Sequence, residues 1–371
     1  MNPKILIAVS SPTEKSEPFI EHIKQKIKGE KYYIYGDVLP NKAIGYGNLS
    51  YYPNFFESQI RKIKKFFGKK YDSPLVEGIK RFITEKKIQL VLSEFGHTGA
   101  KMAPICKDLN IPLIAHFHGG DINNRGNVKN FWEEYQFLFK NSSAIIGVSE
   151  DMKEDLVAIG SIKEKTYVIP CGAHDRFFNI TPKFKQTDFI FIGRFVNMKS
   201  PYYTLLAFNI LLKKIPDAKL IMIGDGELHN TVSNLSKYFK IENSVNFTKW
   251  IEHSKIDEYL EASCCYVQHS IISENGDAEG TPVSILEASA AGLPIISTKH
   301  KGIKQAVIHG ETGYLVEEHD VDKMAEYMIQ VASDMNLAKK MGDAGRIHIK
   351  NNYSMEKYIN SIDELIIKIL S

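Results

Sequence analysis

Residues 279–297 read EGTPVSILEASAAGLPIIS. Threonine followed by proline predicts a helix start, with Thr281 as the capping hydroxyl and Pro282, its φ already fixed, as the first helical residue. The helix runs on through residues 283–291 and stops at Gly292, and Pro294 leads into the β-branched run PIIS. The same alternation extends outward in both directions. Candidate strands in this half are DFIFIG, AKLIMIG, SVNFT, CCYVQHS, PIIST and GYLV; in the first half they are KILIAV, KYYIY, IQLVLS, IPLIAHF, SAIIGV and TYVIP. Amphipathic stretches such as PLVEGIKRFITEKK and SPYYTLLAFNILLKKI separate most of them. Repeated strand–helix–strand order predicts an α/β fold of parallel sheets with helices on both faces.

At 371 residues the chain is long for one core and suited to two domains. The break falls at 171–187, where CGAHDRFFNITPKFKQTD has no sustained period. Domains are expected over 1–175 and 187–352, followed by a final amphipathic helix over 355–371. Ligands of open parallel sheets bind where strand C-termini meet helix N-termini, so two facing units would make an interdomain cleft. Four cysteines, at 106, 171, 264 and 265, form no CxxC pair and support neither a disulfide framework nor a zinc site. With no apolar run of membrane-spanning length and no signal-peptide flank, a cytoplasmic location is expected. Residues 1–170 hold 25 Lys and Arg against 19 Asp and Glu, and the remainder 22 against 25. The first half is therefore the one suited to a negatively charged partner.

Glu279 lies just ahead of the predicted helix and Glu287 about two turns along it, roughly 9 Å apart on the axis. A nucleoside diphosphate sugar has two polyhydroxylated ends about that far apart. Free amides at 281–284 would hold its diphosphate and leave one carboxylate for each set of hydroxyls. The alternative is an acid favouring the helix dipole plus an unrelated surface glutamate. In GRFVNMK (193–199), Gly193 allows close backbone approach, and Arg194 and Lys199 at a strand end can neutralise a diphosphate leaving group without a metal. Solvated surface cations are the other reading. Gly224-Asp225-Gly226-Glu227 marks a tight turn. No GxGxxG follows the first strand, so the dinucleotide fingerprint is missing.

In HFHGGDI (116–122), His118 and Asp121 are expected to project toward the cleft. There a neutral histidine can bond a sugar hydroxyl or assist transfer; a buried histidine satisfied by backbone is the alternative. QIRKIKKFFGKK (59–70) interleaves Arg61, Lys62, Lys64, Lys65, Lys69 and Lys70 with Ile60, Ile63, Phe66 and Phe67. This is either a cationic amphipathic surface for anionic lipid or a solvated helix packed on its own domain. The cluster is too short, and the net charge too modest, to point to nucleic acid.

Together, GRFVNMKSP, GDGEL, DAEGTPVSILEASAAGLPIIST and HGETGYLV, preceded by EFGHTGA, FHGGDI, GVSEDMKEDL and IPCGAHDRFF, resemble the retaining glycosyltransferases of family 4, which have the GT-B fold. The likeness covers nearly the whole chain. It implies that Glu279 and Glu287 are the two glutamates of the family's Glu–seven residues–Glu motif, contacting donor sugar and ribose, with Gly280, Thr281, Pro282 and Val283 between them. It implies that Arg194 and Lys199, beside Gly193, bind the diphosphate, that His118 faces the transferred sugar, that no metal or other cofactor is needed, and that the final helix, 355–371, packs back on the first domain. Glu279 and His118 are the expected catalytic pair. Residues 10–20 resemble a Ser-Glu-Thr-Phe-Ile variant found among polysaccharide-building enzymes, with Pro18 where threonine is usual; Glu17 in this loop and Asp121 at the cleft are the candidate acceptor contacts. The implied partners are a UDP- or GDP-sugar and a glycan or lipid-linked acceptor, with the protein peripheral on the inner membrane face. Rival readings are a GT-B epimerase, a phosphorylase with a cofactor-bearing lysine, and an inert sugar-nucleotide-binding subunit.

Overall fold

A computed structural model describes residues 2–11, 18–66, 71–252 and 255–371. Glu17, Phe67, Lys69 and Lys70 lie outside the described residues, as does the side chain of Lys64. The first sheet contains β1 (Lys4–Ala8), β2 (Glu30–Tyr35), β3 (Lys42–Ala43), β4 (Gly47–Asn48), β5 (Leu90–Glu94), β6 (Leu113–Phe117), β7 (Ala144–Gly147) and β8 (Thr166–Val168). Their spatial order is β4-β3-β2-β1-β5-β6-β7-β8, parallel except for the antiparallel hairpin of β3 and β4 at one edge. That hairpin is absent from the sequence reading, because two-residue strands carry no period to detect.

The second sheet contains β9 (Asp188–Ile192), β10 (Lys219–Ile223), β11 (Val245–Lys249), β12 (Cys265–Gln268), β13 (Ile295–Thr298) and β14 (Gly313–Val316). Its order is β11-β10-β9-β12-β13-β14, and every pair is parallel. The two sheets match the α/β reading strand for strand apart from that hairpin. Helices cover both faces of each sheet, so β5, β6, β12, β13 and β14 are buried along their whole length, and their sequences are near-continuous apolar runs rather than alternating ones.

The last helix, Met355–Leu370, buries Tyr358, Ile359, Ile362, Leu365 and Ile366. It lies against the first sheet, where Asp363 accepts from the Lys28 amide at 2.9 Å and Lys368 donates to the Tyr167 hydroxyl at 3.1 Å. Parallel strands end together, so the carboxyl edge of each sheet gathers the loops that carry polar side chains.

One buried histidine gives this fold a pH limb. Burial pushes His269 down to about 4 from its ordinary 6.5, helped by neighbouring His319, while its Nε2 accepts from the His319 amide at 2.9 Å. Unfolding restores the ordinary value, so between those values the unfolded chain binds a proton that the folded chain does not, and stability falls as pH drops through that window. His269→Gln retains an acceptor and is expected to shallow the decline of the urea midpoint over that range; an unchanged slope would contradict this account.

Candidate functional site

The C-terminal end of β9 continues through Gly193 and Arg194 into a short 3-10 turn, Asn197–Lys199. Gly224, at φ +134°, lets the end of β10 close against this loop; a Cβ there would lie 1.9 Å from the Gly193 carbonyl oxygen. A Cβ on Gly193 would in turn lie 2.8 Å from Lys199 Cδ, so the bare backbone leaves room for the lysine to fold across it. The Lys199 ammonium sits 2.5 Å from the Glu279 carboxylate, and both side chains are about nine-tenths shielded from water. Arg194 is exposed and lines the same cleft. Ser200 adopts φ +36° and donates its hydroxyl back to the Asn197 carbonyl at 2.6 Å, so Pro201 opens the next helix without a side-chain cap.

Glu279 is held by its own backbone: its amide donates to His300 Nε2 at 3.1 Å, and His300 Nδ1 lies 2.6 Å from the Glu318 carboxylate. The helix that follows is Val283–Ala290, with Pro282 rather than Thr281 at the cap position. Thr281 spends its hydroxyl on the Val148 carbonyl, at 3.3 Å, which moves the start of the helix one residue on. Pro282 has no N–H, so the amides this helix end offers an anion are those of Val283 and Ser284 and not the full 281–284 run. Tyr266, fully buried, places its hydroxyl 2.8 Å from the Ser284 hydroxyl and 3.1 Å from the Ile192 carbonyl, tying this helix start to the end of β9. Glu287 is buried and lines the cleft, as do Gly280, Thr281 and Val283.

The opposite wall comes from the first sheet. Register pairs Glu94 on β5 with His116 on β6, and the strand period of two puts His118 on the same face. The Glu94 carboxylate lies 2.9 Å from His118 Nε2 and 3.2 Å from His116 Nδ1, with Glu94 and His116 completely buried. Among the described residues, this is the one group of His, Cys, Asp or Glu side chains whose ligand atoms all lie within 4.8 Å of one another; the His118–Glu94 contact is a hydrogen bond, whereas the His116 ring meets the carboxylate at ion-pair distance only. Burial opposes charge on the carboxyl, but the two imidazoles hold it down at about 2. Burial likewise opposes charge on His118, yet its hydrogen bonds to Cys171 and Glu94 push it up to about 10. Its contacts therefore bias the cleft histidine toward the protonated form, whereas the sequence points to a neutral ring. Asp121 lines the cleft, but its carboxylate is occupied: it accepts from the Gly96 amide at 3.0 Å and the His118 amide at 2.9 Å, and meets His97 Nδ1 at 3.0 Å. That pins the loop rather than leaving Asp121 open to an acceptor.

Between the two walls lies a cleft of about 450 Å³. Both halves hold the Glu279 turn, since Asn123 Nδ2 donates to the Ala278 carbonyl at 3.1 Å and the Arg125 amide to the Asn275 carbonyl at 3.0 Å. Two further ion pairs bridge the halves, Lys301–Asp155 and Lys304–Asp151, each at 2.8 Å.

The same architecture occurs in solved structures. A structure of Anabaena Alr3699/HepE in complex with UDP superposes with a TM-score of 0.77, covering 98% of this chain and 100% of that one at 15% identity. The fold is GT-B. In sequence, this GT-B chain matches the Glycosyltransferase Family 4 model over residues 44–176 and the model for glycosyl transferases group 1 over residues 174–348. Similar proteins include the amylovoran biosynthesis glycosyltransferase AmsK of Erwinia amylovora, 25% identical over 66% of this chain and 61% of that protein. The N-acetyl-alpha-D-glucosaminyl L-malate synthase of Bacillus anthracis is 24% identical over 86% of this chain and 85% of its own length. The match thus spans about three-fifths of AmsK and most of the malate synthase.

Glu94, Tyr266 and His300, which hold cleft residues in place, and Trp250, which lines the cleft, are the site residues the sequence does not point to. Glu94 ends an apolar strand and is visible as an acid where a buried strand should have none; the other three carry no local signal. The Lys199–Glu279 pair makes a testable contribution. Lys199→Met leaves a shielded carboxylate without its cation and is expected to destabilise the fold by about 3 kcal/mol. Adding Glu279→Gln should recover much of that loss in a double-mutant cycle followed by denaturation. Additive losses would mean that the two groups are not coupled.

Proposed function

We propose that this protein is a retaining glycosyltransferase that moves a hexose or N-acetylhexosamine from a UDP- or GDP-sugar to a glycan acceptor, lipid-linked, in surface polysaccharide or glycolipid synthesis. The observation that carries this reading is the convergence of Arg194, Lys199, the amides of Val283 and Ser284, Glu279 and Glu287 on one cleft. Two cations and a helix start suit a diphosphate. The two carboxylates flank that position and suit hydroxyls at either end of the donor. The UDP held by the HepE structure and the polysaccharide role of AmsK are in keeping with it.

In the proposed reaction the anomeric carbon–phosphate oxygen bond breaks while the acceptor oxygen bonds to the same face of that carbon. The acceptor proton passes to the departing phosphate oxygen. Arg194 and Lys199 offset the charge growing on the leaving group, with no metal called for. Glu279→Ala, Arg194→Ala and Lys199→Ala are each expected to lower kcat by about 100-fold or more in a labelled-donor assay with membrane acceptor. Turnover within a few-fold of wild type for all three would overturn the assignment.

The acceptor half carries a second feature in keeping with a lipid-borne substrate. In helix Phe55–Phe66 the apolar side chains face solvent, with Phe55 at 72%, Phe56 at 78% and Phe66 at 87% exposure, and Ile60 and Ile63 exposed as well. This departs from a solvated helix packed by its apolar stripe. Arg61 does not belong to the outward surface, because its guanidinium forks onto Glu77, one arm at 2.6 Å. Lys62 and Lys65 remain exposed beside the aromatics. Aromatic rings with flanking lysines suit the interface of an anionic bilayer, each lysine adding about 1 kcal/mol. Among the described residues no helix is long and apolar enough to cross a membrane. Combined Phe55→Ser, Phe56→Ser, Lys62→Gln and Lys65→Gln substitution is expected to abolish co-sedimentation with phosphatidylglycerol vesicles; unchanged sedimentation would remove the membrane from the proposal.

A further inference from the structure

The buried carboxylate beneath the first wall has no part in the donor contacts described above, yet it touches the cleft histidine directly. We propose that Glu94 is a positioning residue for His118, its carboxylate fixing both the orientation and the charge of the ring that the cleft presents to the donor sugar. This deepens the transferase reading and rests on it for the identity of what His118 meets.

A carboxylate with no solvent exposure persists in a folded protein only with a cation or several donors beside it. Glu94 sits between two imidazoles and faces no lysine or arginine at ion-pair distance among the described residues. The rings of His116 and His118 have centroids 4.3 Å apart, too close for both to be charged at little cost. His116 is completely enclosed, and burial, set against the pull of Glu94, lowers it and keeps it neutral. His118 has the shorter contact with Glu94 and an edge in the cleft, so it takes the proton.

The surroundings of the ring support one orientation. Asp121 accepts from the His118 amide and Phe95 packs edge-on to the ring with centroids 5.1 Å apart. Cys171 lines the cleft beside it, and the Tyr358 ring of the last helix closes over His116 at 6.1 Å. Burial, with Cys171 and Glu94 nearby, keeps that phenol protonated. His97 meets Asp121 from the next helix. A charged histidine donates hydrogen bonds and cannot accept the acceptor's proton, so in this site His118 serves the transfer as a fixed donor to a sugar or phosphate oxygen and not as its base.

The test uses the full-length protein with isotope-labelled histidine, the His118 resonance being identified by its loss in His118→Asn. In the wild type that ring is expected to stay protonated through about pH 8. In Glu94→Gln, burial acts without its counterweight, and the ring is expected to be neutral above its ordinary value of 6.5, with Glu94→Asp in between. A matching split should appear in transfer kinetics. Glu94→Gln should lose about tenfold in kcat near pH 8 while the donor KM moves less than about threefold, and activity should recover toward pH 6. Wild-type His118 titrating near 6.5, a Glu94→Gln profile parallel to wild type, or one equivalent of bound metal found by elemental analysis would each overturn the proposal. If Glu94→Gln does not fold, the wild-type titration and Glu94→Asp still decide it. If the resonances behave as expected but no donor is turned over, the placement of His118 stands and the transferase reading fails.

Discussion

A lysine ammonium and a glutamate carboxylate 2.5 Å apart, each about nine-tenths hidden from water, join the end of β9 to the turn that opens helix Val283–Ala290. Neither charge is tolerable alone in that position. The pair therefore requires Lys199 to fold back over Gly193, and it requires the Glu279 backbone to be gripped from behind by His300 and Glu318. Tyr266 completes the arrangement by binding both segments through one hydroxyl.

The facing wall solves a similar problem with different chemistry. Glu94 is buried in the first sheet, and a histidine, His118, rather than a lysine balances it. A histidine cation is weaker and more easily displaced by pH than an ammonium, but its planar ring can be oriented by packing, and Phe95 and Asp121 do that here. The cleft thus has one side set by permanent charges and another set by a charge that depends on its partner. Hydrogen bonds from Asn123 and Arg125 and the Lys301 and Lys304 ion pairs hold the two sides together in the arrangement seen. The partly exposed ion pairs among them contribute little individually.

Most of the architecture was legible because parallel strands buried on both faces must be apolar throughout, and runs such as LIMI and DFIFI can be little else. The last helix was legible from its apolar stripe, and the same residues are buried. The β3–β4 hairpin was not, since its strands are shorter than any pattern. Within the cleft, Gly193, Arg194, Lys199, Glu279, Gly280, Thr281, Pro282, Val283 and Glu287, to which the sequence itself points, line one cavity. The exact start of the helix was not: a Thr-Pro pair suits the cap and first positions, and only the Val148 carbonyl, contributed by the other half, draws Thr281 away.

What the amino-acid order determined by itself was the sequence of strands and helices, the two-part division and the identity of the polar residues at strand ends, because period and local turn chemistry act over a few residues. What only the tertiary structure decided was which of those polar groups face one another. The charge of His118, the occupation of Asp121 and the outward-facing aromatics of helix Phe55–Phe66 all follow from neighbours distant in the chain. Charge and exposure depend on the surrounding dielectric and on the nearest opposite charge, and both come into being only when the sheets and helices have packed.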